Sequence, residues 1–130
     1  MSARIPDALV DLLTTDHIGH LATLRPDGAL APSMVWIDWD GEHILTSSPV
    51  GSHKGQHLRE NAPIALSVVD HQNPFRYVQV RGHVSGIRPD EGLAFIDRMA
   101  RRYLGQPYED LDEAREIFEI TVDHVRARGA

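Results

Sequence analysis

The segment Gly51-Ser52-His53-Lys54-Gly55 has the composition of an anion-binding loop. It places small residues, an ammonium group and an imidazole at the expected start of a helix. Backbone N–H groups at such a helix end have no intrahelical partner and favour a negatively charged ligand, and Lys54 adds a full positive charge. The segment therefore predicts a phosphate site, although an ordinary exposed first helical turn would have the same composition.

Lys54 is also the only lysine among the 13 basic residues of the chain. A bias towards arginine codons explains the general excess of arginine. Because the ammonium and guanidinium groups are not physically interchangeable, the single retained lysine indicates a position that needs a compact positive charge.

The eight histidines raise a metal site as an alternative. His53 and His57 are four residues apart and could chelate an ion from one face of a helix. The sequence supplies no third ligand for them, so we expect half-exposed histidines and no metal centre. Asp38 and Asp40 flank a predicted hairpin turn and are assigned to it. With no nucleophile elbow and no Walker loop, the sequence predicts no catalytic side chain.

A scaffold made mainly of antiparallel strands is predicted to position these residues. We expect strands over residues 17–24, 30–39, 42–47, 64–69, 77–86 and 116–125. We expect helices over residues 6–15, 52–61 and 89–104. Because hairpins join most strands, the predicted fold class is mainly β (α+β), a six-stranded antiparallel split β-barrel with peripheral helices. No linker interrupts the pattern, so residues 1–130 are predicted to form a single domain.

Composition excludes several classes of protein. The formal net charge of −6 argues against a general nucleic-acid binder, which carries a basic face. No apolar run approaches the roughly 18 residues of a membrane span, and no secretory leader opens the chain. Cysteine is absent, so disulfides and thiolate metal sites are excluded. We expect a cytoplasmic protein that binds neither nucleic acid nor membrane.

Four blocks occur in an order that is shared with one known superfamily. They are HIGHLATLRPDGALAPSMVWIDWDG, SHKGQHLRENAPIALSVVD, NPFRYVQVRGHVSGI and IDRMARRYLGQPY. These blocks resemble the first hairpin and flavin strand, the phosphate helix with its following strand, and the late strand and helix of the split-barrel flavin and deazaflavin oxidoreductases. This is the pyridoxamine-5'-phosphate-oxidase-like superfamily. The closer likeness is to its short branch that uses the deazaflavin coenzyme F-420.

This resemblance implies a set of cofactor-binding residues. They are Ser33, Met34, Val35 and Trp36 beside the isoalloxazine ring, Ser47 and Ser48 near the ribityl chain and phosphate, His53 and Lys54 at the phosphate, and Tyr77 or Gln79 reaching a cofactor held largely by the other subunit. His53 stands where the superfamily usually has arginine, so a bidentate phosphate contact is replaced by a group that is cationic only when protonated.

The resemblance also implies a function. We expect an oxidoreductase that transfers a hydride between bound coenzyme F-420 and an unknown conjugated organic acceptor. An FMN-binding oxidoreductase of the pyridoxamine-phosphate-oxidase type is one alternative, and a non-enzymatic cofactor or tetrapyrrole carrier is another. The weaker phosphate clamp at His53 favours F-420, whose extended anionic tail can use further arginines. The resemblance further implies a homodimer with the cofactor sites at its interface.

Overall fold

The computed structural model describes residues 3–129, in which seven strands form one antiparallel sheet with short helices around it. The strands are β1 (Gly19–Leu24), β2 (Leu30–Val35), β3 (Asp38–Trp39), β4 (Ile44–Pro49), β5 (Pro63–Asp70), β6 (Asn73–Pro89) and β7 (Arg115–Arg128). The helices are α1 (Asp11–Thr14), α2 (His53–His57) and α3 (Ala94–Leu104), with 3-10 turns at Asp7–Leu9 and Glu91–Leu93. None of the helices within residues 3–129 has the length and apolar character needed to cross a membrane.

The order of strands explains why the sheet curls. The order is β2-β1-β5-β6-β7-β4-β3, so β2 and β3 lie at opposite edges. Only Trp36 and Ile37 join these two edges, and the sheet must therefore roll until they approach each other. This half-closed barrel confirms the predicted fold class. It has seven strands and not six, because the strand predicted over residues 30–39 breaks into β2, paired with β1, and β3, paired with β4.

The barrel interior forms the larger of two hydrophobic cores. Val78, Val80 and Val84 of β6 all point into it, as the alternation of the sequence predicts. Between them the pairing register of β6 with β7 shifts at Gly82. A Cβ atom at that position would lie 2.2 Å from the carbonyl oxygen of Thr121, so only glycine allows this approach. The bulge lets a strand of 17 residues bend around the barrel.

A smaller core lies between α3 and the outer surface of β4 and β7. It consists of Leu45, Phe95, Ile96, Met99 and Ile117, with Trp36, Leu93, Tyr103 and Tyr108 packed against it. Because both faces of β4 are covered, its first five residues are all buried. The helix predicted from residue 89 begins at residue 94, since the Asp90 carboxylate accepts hydrogen bonds from the Phe95 and Ile96 amides and residues 91–93 form a 3-10 turn.

Helix α2 is shorter than the predicted helix over residues 52–61. Its start is as predicted, because the Ser52 hydroxyl caps it by accepting a hydrogen bond from the Gly55 amide at 3.0 Å. It ends at His57, and the next residue, Leu58, is fully buried in the barrel core. The chain must leave the helix to insert this side chain, and Pro63 then begins β5.

Two other boundaries differ from the prediction. The N-terminal helix expected over residues 6–15 is divided into a 3-10 turn and the four-residue α1. Strand β7 extends at both ends beyond the predicted range of 116–125, because it pairs with β6 over almost its whole length and with β4 at its start. The extension places Arg115, one residue before the predicted start of this strand, inside the sheet.

Candidate functional site

Lys54 lines two adjacent surface grooves. The first groove, of about 470 Å³, lies between the β1–β2 hairpin and α2, and we call it the histidine groove. The residues that define it are Arg25, Ser33, His53, Lys54 and His57. The groove combines basic side chains with the outward-facing part of β2.

The second groove, of about 280 Å³, lies along the edge of the smaller core, and we call it the arginine groove. The residues that define it are Trp36, Ser47, Lys54, Tyr108 and Arg115. The two grooves together bring seven of the ten sequence-predicted site residues to one region. These are Ser33, Met34, Val35, Trp36, Ser47, His53 and Lys54.

Strand β4 and the loop after it carry Lys54 into this position. The Ser48 hydroxyl lies 2.5 Å from the Ser52 hydroxyl, which in turn caps α2. Ser48 is 1% exposed and lines neither groove. Its hydroxyl therefore stabilises the loop and is not available to a ligand in the grooves. The five residues of α2 make too short a helix for a substantial dipole, and the anion-binding capacity of the site therefore rests on charged side chains.

Lys54 is half-buried and has no carboxylate partner within residues 3–129. Burial lowers the pKa of its ammonium group below that of an ordinary lysine, and the positive charge of Arg115 acts in the same direction. Both causes disfavour the charged form, and no nearby acid in the described part of the chain compensates for them. An anionic ligand bound here would remove this penalty.

Arg115 is the main site residue that the sequence did not reveal. As the first residue of β7 it pairs with Pro49 at the end of β4, and its Nε donates a hydrogen bond to the Ser47 hydroxyl at 2.9 Å. Its guanidinium lies 5.8 Å from the ring centre of Tyr108 and 3.5 Å from the Tyr108 hydroxyl. No carboxylate of residues 3–129 forms an ion pair with it. The available signal was a single basic residue directly after an acidic run, which is weak evidence by itself.

His53 and His57, whose spacing raised the metal alternative, both line the histidine groove. His53 is exposed, whereas the Nδ1 atom of His57 lies 3.2 Å from the Thr23 hydroxyl. The potential metal clusters among residues 3–129 are elsewhere, at Asp16, His17 and His71 and at Asp40, His43 and Glu119. In the first of these the two imidazoles are stacked with an interplanar angle of 17°, so their ring planes do not converge on one ion.

Strand β2 offers polar groups beside these cations. In the described part of the chain it is an edge strand, so part of its backbone has no partner strand there. The Ser33 hydroxyl is buried and has no hydrogen-bond partner within residues 3–129. Met34 is 75% exposed, Val35 faces the core, and Trp36 stacks on Tyr103 with ring centres 5.4 Å apart. This arrangement fits a flat ligand with polar edges.

Tyr77 and Gln79 line neither of the two grooves that contain Lys54. Gln79 lines a third groove, of about 620 Å³, on the face formed by β1, β5, β6 and β7. Tyr77 is half-buried further along β6 and pairs with Val69 and Arg128. A single chain therefore does not bring these two residues to the cation site.

The grooves around Lys54 contain binding groups and no evident acid–base pair. They offer an ammonium, a guanidinium, hydroxyl groups and aromatic walls. This set suits an elongated aromatic anion, and it suits chemistry supplied by a bound cofactor, for which the protein provides binding and orientation.

The chain is similar to one sequence family and to several solved structures. In sequence, the family described as pyridoxamine 5'-phosphate oxidase matches residues 5–129. No curated protein sequence gives a significant match. Among solved structures, the chain is similar to an F420 reductase, with 34% identity, coverage of 94% of this chain and 98% of the other, and a TM-score of 0.82.

More distant structures share the fold. The protein Rv2991 from Mycobacterium tuberculosis is 22% identical, with coverage of 98% of this chain and 86% of the other and a TM-score of 0.74. General Stress Protein 26 from Bacillus anthracis is 16% identical, with coverage of 92% and 90% and a TM-score of 0.67. The fold, the match over almost the whole chain and the F420 reductase relative lead to one conclusion: the chain belongs to the pyridoxamine 5'-phosphate oxidase family, in its split-barrel superfamily.

Proposed function

We propose that this protein is an oxidoreductase that binds the deazaflavin coenzyme F-420 and transfers a hydride between it and a conjugated organic acceptor. The observation that carries this proposal is the placement of Lys54 and Arg115, which have no carboxylate partner within residues 3–129, beside the free edge of β2. The likeness to an F420 reductase at 34% identity supports it. When bound, the coenzyme supplies the hydride chemistry.

The residues present fit such a cofactor. The unpartnered Ser33 hydroxyl and the free backbone edge of β2 can hydrogen-bond the polar edge of a deazaflavin ring. Trp36, held flat against Tyr103, limits the approach of water from one side. Lys54 lies where the two grooves meet, and its ammonium can contact the phosphate of a tail that extends into either groove.

The distribution of positive charge favours F-420 over FMN. FMN carries a single compact phosphate, whereas the tail of F-420 carries a phosphate and carboxylates that are spread along its length. Lys54 and Arg115 likewise extend over two grooves, and the first groove also contains Arg25, which pairs with Asp27 at 3.6 Å. His53, at the position where the superfamily has arginine, is exposed and supplies no permanent charge.

We also infer that the protein acts as a homodimer. The groove that contains Gln79 is wide and largely apolar in its lining, and Leu30 and Met34 on β2 are 73% and 75% exposed. Apolar side chains grouped in this way are typical of a protein interface. A twofold partner would cover them and could bring Gln79 towards the cofactor of the other subunit. Sedimentation analysis of wild type and Met34→Glu tests this, with a wild-type dimer and a dissociated variant expected.

Parallel titrations with F-420 and FMN test the cofactor assignment. We expect F-420 to bind at least tenfold more tightly, a difference of about 1.4 kcal/mol. The protein loaded with reduced F-420 is then mixed anaerobically with a quinone or an enone, and we expect the spectrum of the oxidised cofactor to return. Tenfold tighter binding of FMN would assign the flavin. A bound chromophore that no acceptor reoxidises would indicate a carrier.

A further inference from the structure

We infer that Ser47, Lys54 and Arg115 form a subsite for a phosphoryl or carboxylate group in the tail of the bound cofactor, and that Arg115 selects ligands that carry this group. The inference rests on the proposed function, because it assigns the subsite to the cofactor. It adds Arg115, the first residue of β7, as a specificity-determining residue. The site residues predicted from the sequence do not include Arg115.

The contacts of Arg115 orient its guanidinium without neutralising it. Nε donates to the Ser47 hydroxyl at 2.9 Å, and one terminal nitrogen lies 3.5 Å from the Tyr108 hydroxyl. A guanidinium has five N–H donors, so most of them remain available. The nearby Arg59 differs, because its terminal nitrogen lies 3.0 Å from a carboxylate oxygen of Glu116. Arg115 is thus held in place by neutral groups and keeps its charge for a ligand.

The strand register explains how Ser47 and Arg115 meet. Ser47 lies opposite Ile117, and Arg115 lies opposite Pro49. Arg115 is therefore the diagonal neighbour of Ser47 on the same face of the sheet, close enough for a long side chain to reach across. Because the Ser47 hydroxyl accepts the bond from Arg115, its own hydrogen is left to donate to a bound oxygen.

Lys54 completes the donor set. Lys54 lines the same groove, and the charge of Arg115 contributes to the lowered pKa of Lys54. Two like charges in a half-buried groove repel each other when nothing lies between them. An anion bound by both removes the repulsion and restores the favourable charged state of Lys54. Ammonium, guanidinium and hydroxyl groups together match the oxygens of a phosphate or a carboxylate.

The subsite is separate from the histidine groove. Arg115 and Ser47 line only the arginine groove, His53 and His57 line only the histidine groove, and Lys54 lines both. A ligand with anionic groups in both grooves gains from both sets of contacts, whereas a ligand with one terminal phosphate occupies one set. Arg115 should therefore matter most for ligands with an extended anionic tail.

The experiment compares ligands that carry an anionic tail or phosphate with the corresponding ligands that lack it. The affinity for F-420 is compared with the affinity for the deazaflavin riboside that lacks the phosphate tail. The affinity for FMN is likewise compared with that for riboflavin. The proteins are wild type, Arg115→Gln, Arg115→Lys and the control Arg101→Gln, which removes an exposed charge paired with Asp97. We expect Arg115→Gln to weaken F-420 binding about tenfold or more and to leave the riboside unchanged. Arg115→Lys should recover part of the loss, and the control should bind as wild type does.

Equal losses for F-420 and the riboside would overturn the inference, and so would an unchanged affinity for F-420. If Arg115→Gln does not fold, as judged by thermal melting, Ser47→Ala replaces it, because it releases the guanidinium while keeping its charge. If wild type binds neither deazaflavin nor FMN, the proposed function fails. Pyrophosphate titration followed by tryptophan fluorescence then decides the subsite alone: a response lost in Arg115→Gln supports it, and no response in wild type refutes it.

Discussion

Among residues 3–129, two pairs of cations beside the smaller core differ in whether a carboxylate accompanies them. Arg98 and Arg102 of α3 approach the Asp38 carboxylate at 2.7 and 3.0 Å. Lys54 and Arg115 have no carboxylate partner in the part of the chain that the structure describes. Asp38 provides the counter-charge for the first pair and so joins α3 to β3. The second pair is positioned by the fold and left without its counter-charge.

This difference separates charges that stabilise the protein from charges that bind a ligand. A buried or half-buried cation is costly unless an anion compensates for it. Where the chain supplies the anion, as at Asp38, the cations contribute to folding. Where it does not, the uncompensated charge is most simply explained by an anion that comes from outside, and perturbed groups of this kind concentrate at functional sites.

The largest expected effect is on stability, at the paired site. Asp38→Ala should lower the free energy of unfolding by about 3 kcal/mol, because it leaves the mostly buried Arg102 without its carboxylate. Urea denaturation measures this. Arg98→Gln is the matched control, since Arg98 is 56% exposed and an exposed ion pair contributes only about 0–1 kcal/mol. Equal stability of Asp38→Ala and wild type would remove the distinction between the two pairs.

The next largest effect is on binding, at the unpaired site. Lys54→Ala should weaken F-420 binding about tenfold to a hundredfold, because it removes a charge-assisted contact. Its free energy of unfolding should not fall, since the substitution also removes the repulsion from Arg115. Calorimetric titrations at low and moderate salt should show a flatter salt dependence than in wild type. Unchanged affinity would assign the cofactor phosphate to backbone amides or to another place.

The pH dependence of binding tests the coupling between Lys54 and Arg115. The ammonium form of Lys54 binds the anion, and its pKa is lowered by burial and by Arg115. Affinity should therefore decline as the pH rises through this lowered pKa, earlier than the usual lysine value of 10.5 would allow. In Arg115→Gln one cause of the shift is absent, so the decline should move to higher pH. Titrations from neutral to alkaline pH check this, and identical profiles would contradict the coupling.

The smallest expected effect concerns His53. Replacing it by arginine adds a permanent charge and two parallel donors at the exposed end of the histidine groove. His53→Arg should raise the affinity for FMN by about threefold, within the range of an exposed ion pair, and the affinity for F-420 by less. Fluorescence titration with both cofactors measures the ratio. A larger gain for F-420 than for FMN would show that His53 does not discriminate between them.

Several features could be predicted because they depend on neighbouring residues. The alternation of Val78, Val80 and Val84 determines which face of β6 is buried, and the Ser52 hydroxyl determines where α2 begins. The uniqueness of Lys54 and the small residues around it predict an anion site from the sequence, and this stays a prediction. Turn chemistry and strand periodicity act over a few residues, so the sequence alone contains them.

Other features were decided only by tertiary structure, because they depend on which distant segments meet. The break of residues 30–39 into β2 and β3 follows from closure of the sheet, and the early end of α2 follows from burial of Leu58 in the barrel. Arg115 joins Ser47 and Lys54 because β7 pairs with β4, a register that no local pattern specifies. Local sequence was enough to identify Lys54 of the candidate site, whereas Arg115 became visible only once β7 paired with β4.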